Sequence, residues 1–283
     1  MTSHYTISRA VAFGKSQAAL CGSDTALLDA QLLLQHTLQC DRQYLYMYSD
    51  KPLTADEWHG YRGLIERRRE GHPIAHILGQ RDFWSLTLAV DDSTLIPRPD
   101  TEIVIEQVLQ LALPAQARVL ELGCGTGAIS LALATEQPDW QFTAVDVAPN
   151  AVALARRNVQ QHAMNARIEV IQSDWFAAVE GQQFDLIVSN PPYIDEADSH
   201  LQQGDVRFEP RSALVAADHG MADLRYIIRQ GAKYLNPKGW LILEHGFEQA
   251  AKVADIFTEK GYQKVNTAKD YANLDRVTFA QRG

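Results

Sequence analysis

The sequence predicts an α/β fold: a mostly parallel, doubly wound sheet preceded by a small helical bundle. Three observations carry this expectation. From Ala117 onward, short apolar runs alternate with amphipathic helical stretches. The runs are nearly continuous in apolar residues, the pattern of strands covered on both faces. Residues 1–80 carry apolar residues at helical spacing, with no strand-like run among them.

The elements follow in order. "DTALLDAQLLLQHTL" has the spacing of an amphipathic helix, and "TADEWHGYRGLIERRRE" opens with a capping box, Thr54 and Glu57. Its "ERRRE" reads as a solvated helix face, because carboxylates flank the arginines. "RDFWSLTLAVDD" alternates and is rich in aromatic and β-branched residues, which predicts a hairpin or short strands. "LIPRPDTE" is a proline-punctuated connection that places Asp100 or Thr101 as the cap of the helix "IVIEQVLQLAL". The strand runs are "ARVLELG", "QFTAVDV", "RIEVIQSD", "FDLIVSN", "WLILEHG" and "RVTFAQR". The helices between them are "AISLALATEQ", "NAVALARRNVQQHA", "DLRYIIRQGAKYL" and "FEQAAKVADIFTEKG".

Composition narrows the function classes. In 283 residues the hydrophobic fraction is 46% and the charged fraction 22%, as in ordinary globular proteins. No apolar run approaches the roughly 18 residues of a membrane span. The N-terminus lacks the basic start and apolar core of a secretory signal. Three cysteines make no disulfide framework, so a reducing cytoplasm is expected. The net charge of -9 disfavours affinity built on nucleic-acid phosphates, and no direct nucleic-acid partner is expected. His72 and His76 have the spacing of two ligands on a helix face, but Pro73 stands where a metalloprotease glutamate belongs. We expect no metal there.

In doubly wound sheets, ligands bind beyond the carboxyl ends of the strands. The first run ends in "ELGCGTG": Gly123, Cys124, Gly125, Thr126 and Gly127. Glycines there allow a tight turn and close approach of a ligand to the backbone. Gly123, Gly125 and Ala128 also satisfy the dinucleotide fingerprint. The second run ends in Asp146, a carboxylate suited to both hydroxyls of a ribose. NAD and S-adenosyl-L-methionine (AdoMet) both carry such a ribose, so Asp146 does not separate them. Gly127 and Glu121, the latter placed to meet an ammonium, favour AdoMet. The third run ends in Ser173, Asp174 and Trp175. Asp174 or a backbone NH suits an adenine edge, and the Trp175 ring suits either an adenine face or packing beneath the sheet edge.

The fourth run ends in Asn190, Pro191, Pro192 and Tyr193. The usual order sets this strand beside the first, so Asn190 faces the glycine loop. The Asn190 oxygen and the Pro191 carbonyl would accept both hydrogens of a planar NH2 group, and Tyr193 would stack on it. The prolines stiffen the turn. A proline-broken strand end with an incidental aromatic is the plainer alternative.

"ELGCGTG", Asp146 and "SNPPY" together resemble AdoMet-dependent methyltransferases acting on planar nitrogens, whether of adenine, cytosine or glutamine. A fuller resemblance lies in "GHPIAHILGQRDFWSLTLAV", "LIPRPDTE", "SNPPYID", "VRFEPRSALVAADHGM" and "LEHG". In order and spacing these are similar to the peptide chain release factor glutamine methyltransferases (the PrmC/HemK family), over essentially the whole chain. Asp100 departs mildly from the family, where Glu is frequent. The resemblance implies a Rossmann-like class I AdoMet methyltransferase domain over residues 100–283, with a seven-stranded sheet. It implies a helical substrate-recognition domain over 1–80 and a hairpin and proline-rich linker over 81–99. It also implies the substrate, the glutamine of the Gly-Gly-Gln motif in bacterial class I release factors, with S-adenosyl-L-homocysteine as product and translation termination as the process. Cofactor contacts are expected from Gly123, Cys124, Gly125, Thr126, Gly127, Asp146, Trp175 and Asn190. Acceptor contacts are expected from Asn190, Pro191, Pro192 and Tyr193. The connection from Ile194 to Met221, with Arg207, Glu209 and Arg211, reads as a peptide channel or a passive lid. Arg98 reads as a substrate contact or a structural ion pair. The competing functions are a nucleic-acid adenine methyltransferase, an NAD-dependent oxidoreductase, and a non-catalytic AdoMet-binding partner of the ribosome machinery.

Overall fold

The computed structural model describes residues 2–283, which divide into two units: 2–79 with 202–208, and 80–201 with 209–283. The first unit holds the helices α1 (Ile7–Ala18), α2 (Ala26–Leu38), α3 (Arg42–Met47), α4 (Ala55–Arg69) and α5 (Ile74–Leu78). Ile7, Leu33, Leu34, Leu45, Tyr61, Ile65 and Ile77 form its core. The capping box of α4 is present: Thr54 N donates to Glu57 at 2.6 Å and Glu57 N donates to Thr54 Oγ1 at 3.2 Å. Two expectations fail in this unit. The strands β1 (Thr2–Thr6) and β2 (Pro52–Thr54) pair antiparallel, yet they are too short for an alternating pattern to be read. Arg68 is buried, not solvated: its Nε bonds Asp29 at 2.7 Å and its NH1 bonds Asp205 at 3.2 Å. The carboxylates flanking the "ERRRE" run in sequence do not report a partner on another helix, which is why the run misled. His72 precedes Pro73, the N-cap of α5, so it shares no helix face with His76; its ring lies 4.6 Å from that of Phe208.

The second unit begins with the hairpin β3 (Gln80–Phe83) and β4 (Leu86–Ala89), expected from the sequence. Phe83 and Leu88 enter the core of this unit. The sequence reading had set 81–99 apart as a linker and had not separated 202–208 from the surrounding chain. The helix α6 (Glu102–Leu109) follows. Neither Asp100 nor Thr101 caps it through a side chain, since a 3-10 turn over Pro99–Thr101 runs directly into it. The Thr101 side chain faces the site described below.

The central sheet has seven strands: β5 (Arg118–Leu122), β6 (Gln141–Asp146), β7 (Ile168–Gln172), β8 (Phe184–Ser189), β9 (Leu235–Glu244), β10 (Gln263–Lys269) and β11 (Asp275–Gln281). Their order is β10-β11-β9-β8-β5-β6-β7, parallel except for β11, which pairs antiparallel with both β9 and β10. The helices α7 (Ala128–Glu136) and α8 (Pro149–Gln161) lie between the early strands. The turn α9 (Ala217–Gly220), then α10 (Ala222–Gly231) and α11 (Ala250–Glu259), complete the unit. Neighbouring strand residues go to opposite faces. Val119, Leu186 and Ile242 join one core with α6, α7 and α8. Leu120, Ile187 and Leu241 join the other with α10 and α11. The doubly wound, both-faces-buried sheet is the fold class expected. The six apolar runs omitted β10, an edge strand that is mostly exposed and polar. No helix among the described residues is long and apolar enough to cross a membrane.

Candidate active site

The four strand ends singled out in the sequence, those of β5, β6, β7 and β8, lie side by side at the carboxyl edge of the sheet. β5 sits between β8 and β6, so the glycine loop is flanked by Asn190 on one side and Asp146 on the other. Ser189 Oγ donates to Leu122 O at 2.7 Å and ties the ends of β8 and β5 together. A cavity here is lined by Gly123, Cys124, Gly125, Thr126, Asp146, Asp174, Trp175, Asn190 and Pro192, all anticipated residues. Gly127, Pro191 and Tyr193 were anticipated too but lie outside its lining.

The glycine loop turns through positive φ at Gly123, Gly125 and Gly127, a conformation L side chains resist. Asp146 holds it in place: Oδ2 accepts from Gly125 N and Oδ1 from Ala148 N, both at 2.9 Å. A carboxylate has further lone pairs, so these bonds leave it able to receive hydroxyls. A Cβ built on Gly123 would lie 3.8 Å from Trp175 Cζ3, which sets the indole over the first glycine. That ring also packs on the sheet core, as the plainer reading of Trp175 expects.

Glu121 is fully buried under the loop, with one oxygen bound by the Ser130 N–H and hydroxyl. Burial pushes its carboxyl up to about 7, against the pull of those donors. The folded protein therefore keeps this proton to about pH 7, while the unfolded chain releases it near the ordinary value of 4.5. Between those values stability falls as pH rises. Glu121→Gln removes the titration. We expect the variant to gain about 2–3 kcal/mol on the wild type between pH 4 and pH 8 in denaturant titrations. Equal gaps at the two pH values would refute the assignment. Burial, then the charges of Glu121 and Asp146, raise the Cys124 thiol well above its usual range, so it stays protonated.

Around the "NPPY" turn the chain is held at several points. Asn190 Nδ2 donates to Thr101 Oγ1 at 3.1 Å. Tyr193 OH donates to Glu244 Oε1 at 3.3 Å, and burial holds the phenol protonated. Gln249 Nε2 donates to the Tyr193 carbonyl at 2.9 Å while its Oε1 accepts from Gly246 N at 2.8 Å. Asp218, His219 and Gly220 are left-handed in succession, and Gly220 lies directly against the Tyr193 carbonyl. Arg98 forms an ion pair, as one of its two readings expects: its NH2 meets the buried Glu209 Oε2 at 2.6 Å, and Glu209 Oε1 accepts from Ile96 N.

Several lining residues escaped the sequence reading. Thr94 is buried over Gly125, and its hydroxyl has no partner among the described residues. Asp223, in the first turn of α10, has its carboxyl raised by burial and by the charge of Asp174. Ser93, Leu95, Pro97, Thr101, Ser212 and Ala213 also line the cavity. Thr101 was read as a cap; Leu95 and Pro97 lie in the quoted "LIPRPDTE", and Ser212 and Ala213 in the connection from Ile194 to Met221, with no role given to them singly. Among the described residues no cluster suited to a metal ion occurs.

Comparison with known proteins adds a family to this geometry. Residues 100–208 match the methyltransferase small domain and residues 9–79 the PrmC N-terminal domain. In solved structures, the hMettl16 catalytic domain aligns with TM-score 0.58 at 16% identity, covering 82% of this chain and 83% of that one. A methyltransferase from Pyrococcus furiosus aligns with TM-score 0.50 at 20% identity, over 68% and 89%. At such identities these two show the fold alone. The release factor glutamine methyltransferase of Shewanella oneidensis is 54% identical over 92% of this chain and 90% of its own. That of Escherichia coli K12 is 50% identical over 93% and 94%, and that of Vibrio cholerae 48% identical over 98% and 96%. By this likeness along nearly its whole length, the chain belongs to the release factor glutamine methyltransferase family.

Proposed function

We propose that the protein transfers a methyl group from AdoMet to the side-chain amide nitrogen of the Gly-Gly-Gln glutamine in bacterial class I release factors, in the cytoplasm. One observation carries this reading: Asn190 lines the same cavity as the glycine loop and Asp146. The residues fit an adenosine-bearing cofactor. Asp146 suits the ribose hydroxyls, Trp175 and Asp174 the adenine, and the buried Glu121 an ammonium. The Thr94 hydroxyl, unpartnered among the described residues, is a polar atom suited to a ligand.

When bound, AdoMet supplies an electrophilic methyl group on a sulfonium. The protein's task is to orient a poor nucleophile. The Asn190 Oδ1 and the Pro191 carbonyl accept the two amide hydrogens and aim the nitrogen. They also stabilise positive charge growing on it. No strong base is required, because the proton becomes acidic once the nitrogen is cationic. The Tyr193 ring stays against the core with its hydroxyl on Glu244, so it supports the turn as well as the substrate. Residues 1–80 serve to recognise the release factor. Incubation with AdoMet and purified release factor, followed by peptide mass spectrometry, should show one added methyl on the loop glutamine. Methylation of RNA or DNA with none on the release factor would overturn the proposal.

A further inference from the structure

The "NPPY" turn is stiff at its front and depends on other elements at its back. Proline rings fix φ at Pro191 and Pro192 and restrict Asn190 and Pro191, the residues before them. The Asn190 side chain is fastened through Nδ2 to Thr101 Oγ1 at 3.1 Å. From Pro192 onward no following proline restricts the chain, so the direction of the turn rests on what holds Tyr193. The Tyr193 carbonyl has one donor among the described residues, Gln249 Nε2 at 2.9 Å. The same nitrogen reaches the Gly220 carbonyl at 3.4 Å, and Gln249 Oε1 accepts from Gly246 N at 2.8 Å. One side-chain amide thus spends both hydrogens and its oxygen on three loops of the carboxyl edge.

Two of those loops are the ends of the connection from Ile194 to Met221. At its root Ile194 N donates to Leu214 O at 2.9 Å, and Ala216 N donates to Ile194 O at 3.1 Å. Gly220, at φ +78°, then brings the chain back against the Tyr193 carbonyl. Ser212 and Ala213 on this connection line the cavity, as do Asn190 and Pro192. Gln249 is not among the lining residues, so it can act only through what it holds.

Resting on the reading of Asn190 and Pro191 as the acceptor site, we propose that Gln249 is a positioning residue that aims the acceptor turn through the Tyr193 carbonyl. Nε2 holds that carbonyl while Gly246 N holds Oε1, so the loop between β9 and α11 is the fixed point. Without the donor, a half-buried carbonyl is left unpaired and the turn moves to find another partner. Asn190 Oδ1 and the Pro191 carbonyl then leave the geometry that meets both hydrogens of the incoming amide. The prolines, and the bond from Tyr193 OH to Glu244 at 3.3 Å, still hold the turn together. The loss is therefore one of aim, not of folding. The residues proposed for the cofactor, Asp146, Trp175 and the glycine loop, lie beyond other strands and make no bond to Gln249.

The test uses the full-length protein with AdoMet and purified release factor. Gln249→Met keeps the length of the side chain and removes its polar ends. Gln249→Glu keeps an acceptor for Gly246 N and removes the donor. Each should lower kcat about tenfold, with AdoMet Kd by calorimetry and release-factor KM within about threefold of wild type. Gly246→Ala displaces the fixed point with Gln249 in place, since the added carbon would lie 3.2 Å from Oε1, and should lower kcat in the same direction. Introduced into Asn190→Ala, Gln249→Met should cost no more than about threefold, because the group it aims is gone. Thermal melts establish that each variant is folded at the assay temperature. Where Gln249→Met is not, the cycle is run with Gln249→Glu under the same limits. Wild-type kcat in the Gln249 variants overturns the positioning role. So does an equal fall with and without Asn190, or a loss of AdoMet affinity as large as the loss of kcat. Asn190→Ala separates the two levels. If it is inactive while the Gln249 variants turn over as the wild type does, only the positioning role fails. If it is fully active, the acceptor-site reading fails with it.

Discussion

Asn190→Ala should lower kcat by about 10²–10³-fold while leaving AdoMet affinity nearly unchanged. The size follows from its role. In the proposed mechanism Asn190 would hold one hydrogen of the acceptor nitrogen, where positive charge would develop, and it lines the cavity. Losing a preorganised partner there costs both orientation and electrostatic stabilisation. The other residues proposed for the cofactor, Asp146, Trp175 and the glycine loop, stay intact in this variant. Single-turnover methylation with labelled AdoMet, beside calorimetry, measures the two quantities separately. A variant with wild-type turnover would remove Asn190 from the chemistry.

Gly220→Ala should be the most damaging of the simple loop substitutions. Gly220 has φ +78°, and a Cβ there would overlap the Tyr193 carbonyl oxygen and crowd Gln249. The backbone conformation alone costs roughly 1–2 kcal/mol for an L residue. The overlap forces either the "NPPY" turn or the left-handed run Asp218 to Gly220 to move. We expect a total loss of about 3–4 kcal/mol in stability and at least about a tenfold fall in kcat. Gly261→Ala provides the control. It has φ +79° and nothing within 4 Å of the added carbon, so only the backbone cost applies. Urea titrations and turnover measurements on both variants decide the matter. Equal losses would show that contact with Tyr193 contributes nothing.

The features legible in the sequence were those with a short-range chemical signature. Buried parallel strands announce themselves by apolar runs, and the carboxyl-edge rule then located the glycine loop, Asp146 and Asn190 without coordinates. β10 escaped because an edge strand reading "QKVNTAK" owes its pairing to β11, not to its own pattern. Arg68 escaped because its partner Asp29 is distant in sequence. Thr101 was noticed for the wrong reason. Its position before a helix suggests a cap, whereas its use depends on Asn190, which lies on another element. Glu244 lies in the quoted "LEHG", which says nothing of its partners. Its burial and its neighbours are tertiary facts. The same holds for the left-handed residues Asp218 and His219, which no local preference demands.

The discontinuity of the helical unit bears on attempts to exchange this unit between relatives. Residues 202–208 belong with 2–79, and they bring Asp205 to Arg68 and Phe208 to His72. A graft cut at Gly79 would leave Arg68 without one carboxylate and the His72 ring without its aromatic neighbour. A transplantable cassette is therefore two-part: the N-terminal segment together with the seven residues encoded far downstream. Recombination that moves this unit would have to exchange both pieces, or change them in step.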